Sequence, residues 1–283
     1  MHTRALADLR AADEALFGGK SASLGELIAA GIPVPAGFAA STEAEVEEIA
    51  NAYRALGEPA VAVRSSAIGE DSAETTFAGL QDTFLWVRGA EQVRAAGRDC
   101  WASLDNPEAV SYRERMGIEG KPAMGVTVQV MVDAAVSGVM FTCNPVSGDP
   151  STVAVNASWG LGVAVVGGEV TPDEYRVSKV TGELLHRTIG PKLIEYVAGG
   201  ERTDVPPERQ DVACLDDERL AELVELARRV ERHFGAHQDV EWAIDREGQL
   251  HVLQSRPVTT TAPKAAAPAS AMKLIMKTFG AGS

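Results

Sequence analysis

The sequence predicts an α+β protein, and three observations predict it. Segments with apolar residues at helical spacing share the chain with short apolar runs that read as buried strands. Between Met124 and Val180 the strand-like runs follow one another across Gly- and Pro-rich turns, which is not the strict βαβ alternation of a doubly wound sheet. From Thr259 to Ser270 the composition turns to Thr, Ala, Pro and Lys, the signature of an interdomain linker, so the folded part ends near Pro257.

The elements follow in order. Leu24, Leu27 and Ile28 give Ser21 to Ala30 a helical stripe, and Gly31-Ile32-Pro33-Val34-Pro35 stops the helix and opens an extended segment. A second helix runs from about Thr42 to Leu56 with Glu43, Glu45, Glu47 and Glu48 on a solvated face, closed by Gly57-Glu58-Pro59. Ala60 to Arg64 and Thr83 to Val87 read as strands on either side of a Gly- and Ser-rich loop. Helices follow near Ala90 to Ala102 and Asn106 to Met116, then strands at Met124 to Val132, Ser137 to Phe141, Thr152 to Asn156 and Tyr175 to Val180. An amphipathic helix over Leu220 to Phe234 precedes strands at Val240 to Ile244 and Leu250 to Gln254.

Composition bounds the function. At 283 residues and 45% hydrophobic content the chain can form one large or two modest domains, each with its own core. A formal net charge of -14 argues against a nucleic-acid partner, because phosphate-backbone binding needs clustered Lys and Arg. Cys100, Cys143 and Cys214 are far apart and show no CxxC or Cys/His spacing, which disfavours a disulfide framework or structural zinc. The N-terminus lacks an uninterrupted apolar run and no segment reaches bilayer length, so the expectation is a cytoplasmic protein with no membrane partner.

Several loops can carry chemistry. Gly18 to Leu27, GGKSASLGEL, places Lys20 after two glycines at a helix start, where backbone amides and an ammonium can hold phosphate oxygens. It is not a Walker A loop, since Glu14 occupies the place of the first glycine, and Lys20 taken alone reads as a surface lysine more readily than as a phosphate ligand. Val61 to Asp71, VAVRSSAIGED, delivers Arg64 at a strand end, suited either to a phosphate fork or to an ion pair with Glu70 or Asp71. The Thr83 hydroxyl can contact phosphate or cap a turn. Gly160-Leu161-Gly162 lacks the third glycine of a dinucleotide fingerprint, Val165 standing there instead. Asp239 and Glu241 alternate along one strand and so share a face, as do Gln254 and Arg256 on the next. If the two strands pair around Asp245 to Gly248 the four side chains meet, as an oxygen-rich Mg2+ site or as a salt-bridged surface. None of His2, His186, His233, His237 and His251 sits in a Gly- or Ser-rich loop that would expose a phosphorylatable imidazole.

GGKSASLGEL, AVRSSAIGED, FAGLQDT, GVMFTCNP, WGLG, TPDEY, DVEW and LQSRP, in that order over residues 15–258, resemble the N-terminal nucleotide-binding domain shared by phosphoenolpyruvate synthase, pyruvate phosphate dikinase and rifampin phosphotransferase. The resemblance implies an ATP-grasp fold with two lobes enclosing a nucleotide cleft. Residues 1–115 would form the first lobe and 116–258 the second, with 259–283 a linker and the start of a phosphohistidine domain. It implies ATP and Mg2+ as ligands, Lys20, Arg64 and Thr83 at the phosphates, and Glu241 and Gln254 at the metal, with Asp239 and Arg256 beside them. Gln129 matches the adenine-pocket position, with the backbone of Met131 and Val132 as the hinge. Lys20, Arg64 and Arg256 would be the catalytic cations. The implied partners are a phosphohistidine domain or subunit, to which ATP passes a phosphoryl group while leaving AMP, and a small-molecule acceptor bound elsewhere.

Three departures from the family pattern bear on function. Only 43 residues lie between Lys20 and Arg64, which shortens the first lobe. Val163 follows Gly160-Leu161-Gly162 where many relatives carry glutamate. The chain stops at Phe279-Gly280-Ala281-Gly282-Ser283, either as a piece of a longer enzyme or as a separate subunit in the manner of phenylphosphate synthase. A nucleotide sensor without catalysis and an ATP-grasp ligase forming an acyl phosphate are the competing readings.

Overall fold

The computed structural model describes residues 2–68, 82–107, 110–111 and 123–258. The chain divides into two compact units, one formed by Met1–Ala29 with Val34–Met131 and the other by Ala30–Pro33 with the chain from Val132 onward. Most of the helix expected over Asn106–Met116, the FAGLQDT segment up to Gln81 and the tail after Val258 lie outside the described residues.

The first unit holds strands β1 (Thr3–Ala5), β2 (Gly37–Ala40), β3 (Val61–Ala67), β4 (Thr83–Val87) and β5 (Met124–Val130), with helices α1 (Glu14–Phe17), α2 (Gly19–Ala29), α3 (Val46–Ala55) and α4 (Ala90–Ala102). Its antiparallel sheet runs β1-β2-β5-β3-β4. Strand alternation sends Val61, Val63, Val126 and Val128 to one face, where they meet Ile49 and Tyr53 of α3 and Val93, Ala96 and Cys100 of α4 in one buried cluster. Each such fully buried aliphatic side chain contributes about 1.5–3 kcal/mol. Gly97 lets α4 approach α3, since a Cβ there would press on Ile49. The other face receives α2, whose Leu24 and Leu27 are buried.

Because β5 hydrogen-bonds to both β2 and β3, it completes the first sheet. The chain therefore changes unit at Met131 and Val132, later than the 115/116 boundary drawn from the sequence.

The second unit is built on an antiparallel six-stranded sheet ordered β13-β12-β6-β7-β8-β9. Its strands are β6 (Ala134–Phe141), β7 (Thr152–Trp159), β8 (Asp173–Ser178), β9 (Leu184–Thr188), β12 (Gln238–Asp245) and β13 (Leu250–Pro257). A separate two-stranded ribbon joins β10 (Ile194–Tyr196) to β11 (Arg202–Asp204). The helices are α5 (Val163–Val166), α6 (Pro207–Gln210) and α7 (Asp217–Phe234). Asp216 caps α7 by accepting from the Arg219 amide at 2.8 Å, and Gly235 ends it in the left-handed region at φ 67°. Leu220, Leu223, Val224 and Val230 of α7 are buried, as is Trp242 of β12, which stands opposite Gly138 of β6, where a Cβ would run into the Asn156 carbonyl and press on the indole. The α+β class read from the sequence is the class of the structure.

Candidate functional site

In the first unit, the Lys20 loop is seated on β3 by close backbone approach. Gly18 ends α1 at φ 80°, and a Cβ there would run into the Ser66 carbonyl and hydroxyl. The amino end of α2 is then fixed by hydroxyls on α2, β3 and β5. The Ser21 amide donates to Ser66 Oγ at 3.3 Å, and the buried hydroxyls of Ser21 and Thr127 lie 2.6 Å apart. The Lys20 ammonium donates to the Ser65 carbonyl at 3.2 Å. Nothing in the spacing of these hydroxyls marks them; Thr127 comes into place only because β5 pairs with β3.

Register places the other expected residues on the same side of the sheet. Arg64 stands opposite Thr127 on β5 and opposite Thr83 on β4, so the three side chains share a face, and Ser66 lies two residues further along it. Gln129 occupies that face of β5 two residues from Thr127, opposite Ala62. Its side chain is buried, and among the described residues its Nε2 has no hydrogen-bond partner. An unsatisfied buried amide costs about 1–3 kcal/mol, which a ligand acceptor would recover. Met131 follows at the end of this unit, its amide donating to the Ala60 carbonyl at 2.9 Å.

In the second unit, β12 and β13 form the hairpin expected from the sequence, turning at Gly248, whose φ is 84°. Asp239 pairs with Arg256 and Glu241 with Gln254, after which a bulge shifts the register at Trp242. Arg256 Nε donates to Asp239 Oδ2 at 3.0 Å. Burial pushes the Asp239 carboxyl up to about 6; the Arg256 charge opposes the rise and Glu241 adds to it. Beside this ion pair, Glu241 and Gln254 bring a carboxylate and an amide oxygen to the same face as a cross-strand pair. Among the described residues no group of three or more His, Cys, Asp or Glu could hold a metal ion. One carboxylate and one amide oxygen suit Mg2+, a hard cation that takes most of its ligands from water and substrate phosphates.

Val132 begins this unit, its carbonyl accepting from Ala134 at 3.0 Å. The Gly160-Leu161-Gly162 turn packs on β6. The Gly160 amide donates to the Ala135 carbonyl at 3.0 Å, and Ser137 Oγ donates to the Gly160 carbonyl at 2.5 Å. The turn leads into α5 at Val163, a single helical turn instead of the long helix of a dinucleotide fold. Of the histidines, His2 lies against Glu48, His237 against Glu231 and His251 against Asp245. Among the described residues no helix is long and apolar enough to cross a membrane.

Comparison with known proteins bears on this arrangement. A model of the pyruvate phosphate dikinase AMP/ATP-binding domain matches residues 43–276, beginning downstream of the Lys20 loop. The chain is 41% identical over 306 residues to a probable phosphoenolpyruvate synthase of Methanothermobacter thermautotrophicus, covering 88% of this chain and 44% of that protein. It is 46% identical over 209 residues to a rifampicin phosphotransferase of Streptomyces sp, covering 72% of this chain and 24% of that one. It thus spans less than half the length of these relatives. Among solved structures, a dinucleotide-forming acetyl-coenzyme A synthetase of Ca. Korarchaeum cryptofilum is similar at TM-score 0.45 and 16% identity, over 84% of this chain and 90% of that chain. The motif series, now with a family match over most of the chain, shows that this protein belongs to the pyruvate phosphate dikinase AMP/ATP-binding domain family.

Proposed function

We propose that this chain is the Mg2+-ATP-binding, phosphoryl-donating part of a dikinase-type phosphotransferase working in the cytoplasm. The observation that carries the reading is the shared sheet face of Arg64, Thr83 and Gln129, with Lys20 anchored beside Arg64 at Ser65 and a buried Gln129 amide that has no partner among the described residues. One end of that face offers cations and a hydroxyl for phosphates, and the other a buried donor for the base.

In this reading Lys20 and Arg64 bind the phosphate oxygens, Arg64 through its planar fork, and Thr83 adds a hydroxyl. Glu241 and Gln254 hold Mg2+, which when bound neutralises part of the triphosphate charge. Asp239 orients Arg256 through their 3.0 Å bond, which directs the guanidinium charge toward the transferred phosphoryl. Gln129 and the backbone of Met131 and Val132 receive the adenine. The β-phosphoryl group passes to a histidine nitrogen on a separate phosphohistidine domain or subunit, the terminal phosphate goes to water as inorganic phosphate, the nucleotide leaves as AMP, and the phosphorylated domain serves an acceptor bound elsewhere. The names of the relatives support pyruvate or an antibiotic hydroxyl as the acceptor.

The test is to incubate the chain with Mg2+, radiolabelled ATP and the histidine-bearing domain of a relative. Acid-labile label on that domain together with AMP is the expected result. ADP without a phosphohistidine would instead favour a ligase. The nucleotide-sensor reading draws on Val163 at the start of α5; it predicts that Glu241→Ala leaves function intact, whereas the donor reading predicts loss of transfer with the fold preserved.

A further inference from the structure

A buried carboxylate in the second unit closes a long loop. Asp173, in the TPDEY segment at the start of β8, is fully buried and gathers both ends of the stretch from Gly190 to Cys214. At one end its Oδ1 accepts from the Lys192 ammonium at 2.5 Å and from the Gly190 amide at 3.1 Å. At the other its Oδ2 accepts from the Cys214 amide at 2.8 Å and thiol at 3.1 Å, while Tyr175 donates to the same oxygen at 3.1 Å. Lys192 is as buried as Asp173 and also donates to the Gly190 carbonyl at 2.9 Å. Gly190 is required for this closure, because a Cβ there would run into the Thr171 and Pro172 carbonyls.

The middle of the closed loop grips the Trp159 to Gly162 turn. The Tyr196 carbonyl accepts from the Leu161 amide at 2.8 Å, and Gly160, at φ 70°, leaves room for that carbonyl. The Trp159 indole donates to the Arg209 carbonyl at 3.1 Å, and the Arg209 guanidinium lies 4.5 Å above the indole. Ile194 packs into a small buried cluster with Ala164, Val165 and Val170 beyond the turn. The turn in turn holds the start of β6 through the Gly160 to Ala135 hydrogen bond, three residues from Val132.

We propose that Asp173 and Lys192 are positioning residues for nucleotide binding: their ion pair closes the 190–214 loop, which sets the Gly160–Gly162 turn and through it the backbone from Val132 to Ala135. This rests on the reading of Val132 as part of the adenine site. The pair itself lies in the protein interior, where removing one partner leaves a buried charge uncompensated. Its effect on ligand is therefore transmitted along the loop, and it falls on the base end of the nucleotide, leaving the phosphate end alone.

Lys192→Met tests this, with Lys192→Arg as the conservative variant that keeps the charge. Amide exchange reports the turn, and calorimetry compares Mg-ATP with Mg-tripolyphosphate, which lacks the base. Lys192→Met is expected to speed exchange at Gly160 and Leu161 while the α7 amides stay protected, and to weaken ATP by roughly tenfold while tripolyphosphate changes by less than about twofold. Lys192→Arg should restore part of the ATP affinity. Equal losses for both ligands, or unchanged ATP affinity, would overturn the proposal. If Lys192→Met does not fold, Trp159→Phe, which removes the bond to the Arg209 carbonyl and shrinks the ring beneath the Arg209 guanidinium, must give the same selective loss. An unsubstituted chain that binds no ATP would refute the nucleotide reading itself, whereas binding that is insensitive to these substitutions refutes the positioning alone.

Discussion

Arg256 and Asp239 stand opposite one another on β13 and β12, with Nε 3.0 Å from Oδ2 and the carboxylate almost wholly enclosed. The pair does two jobs at once: it compensates a carboxyl that burial drives upward, and it fixes the direction of the guanidinium. Arg256→Met should therefore destabilise the protein by roughly 2–3 kcal/mol, somewhat less than breaking a fully buried pair because the arginine keeps some solvent contact. Urea unfolding measures this. A change below about 0.5 kcal/mol, the range of ordinary surface substitutions, would show that the pair is not structural.

Gly18 is the second point where one atom decides local structure. Gly18→Ala combines a positive φ with a clash against the Ser66 carbonyl, and should cost roughly 2–4 kcal/mol or force the Lys20 loop off β3. Denaturant unfolding reads the first outcome, and loss of ATP affinity with little loss of stability reads the second. A variant unchanged in both would contradict the packing described.

Much of this site is written in side-chain alternation. Asp239 with Glu241 and Gln254 with Arg256 announce one face of a hairpin, and the turn at Asp245 to Gly248 supplies the glycine that lets the strands meet. The neighbours of Arg64 are different: Thr127 reaches it only through a pairing between strands far apart in sequence, so no local pattern reveals the hydroxyls that seat Lys20. The same long-range pairing put β5 in the first unit, against the expectation from its place in the chain. Strands β1, β10 and β11 have three residues each, too few for a period, and went unread. Asp173 and Lys192 carry no signal as a pair, because an acidic and a basic residue joined across a loop look like two surface charges until burial is known.

Glu231 on α7 links folding to pH. Burial raises its carboxyl, but the Lys179 ammonium, donating at 2.6 Å, and the nearby Thr142 and His237 side chains outweigh this and hold it below the ordinary glutamate value of 4.5. A carboxyl depressed in the folded state stabilises above its unfolded pKa, and that contribution is lost as pH falls through the folded value. Glu231→Gln should cost roughly 1–2 kcal/mol at neutral pH, and the gap to the parent should close as pH drops below 4.5. Unfolding free energies across that range check the sign; a gap that widens toward acid would contradict it.

The three cysteines are expected to be inert. Burial pushes the Cys100 thiol up to about 12, with Asp82 and Asp99 adding to the rise, and burial also raises Cys143 and Cys214. At pH 8 a thiol reagent should label the native chain slowly and the unfolded chain quickly. Fast labelling of any one cysteine in the native protein would show that its surroundings are more open than described.

The nucleotide reading meets its most direct test in calorimetric titration of Mg-ATP into this chain, beside an Arg64→Ala variant shown by circular dichroism to be folded. Binding by the parent that is lost or weakened by about tenfold or more in the variant is the predicted result. No binding by the folded parent, or equal binding by both proteins, would contradict the assignment of Arg64 and its sheet face to the phosphates.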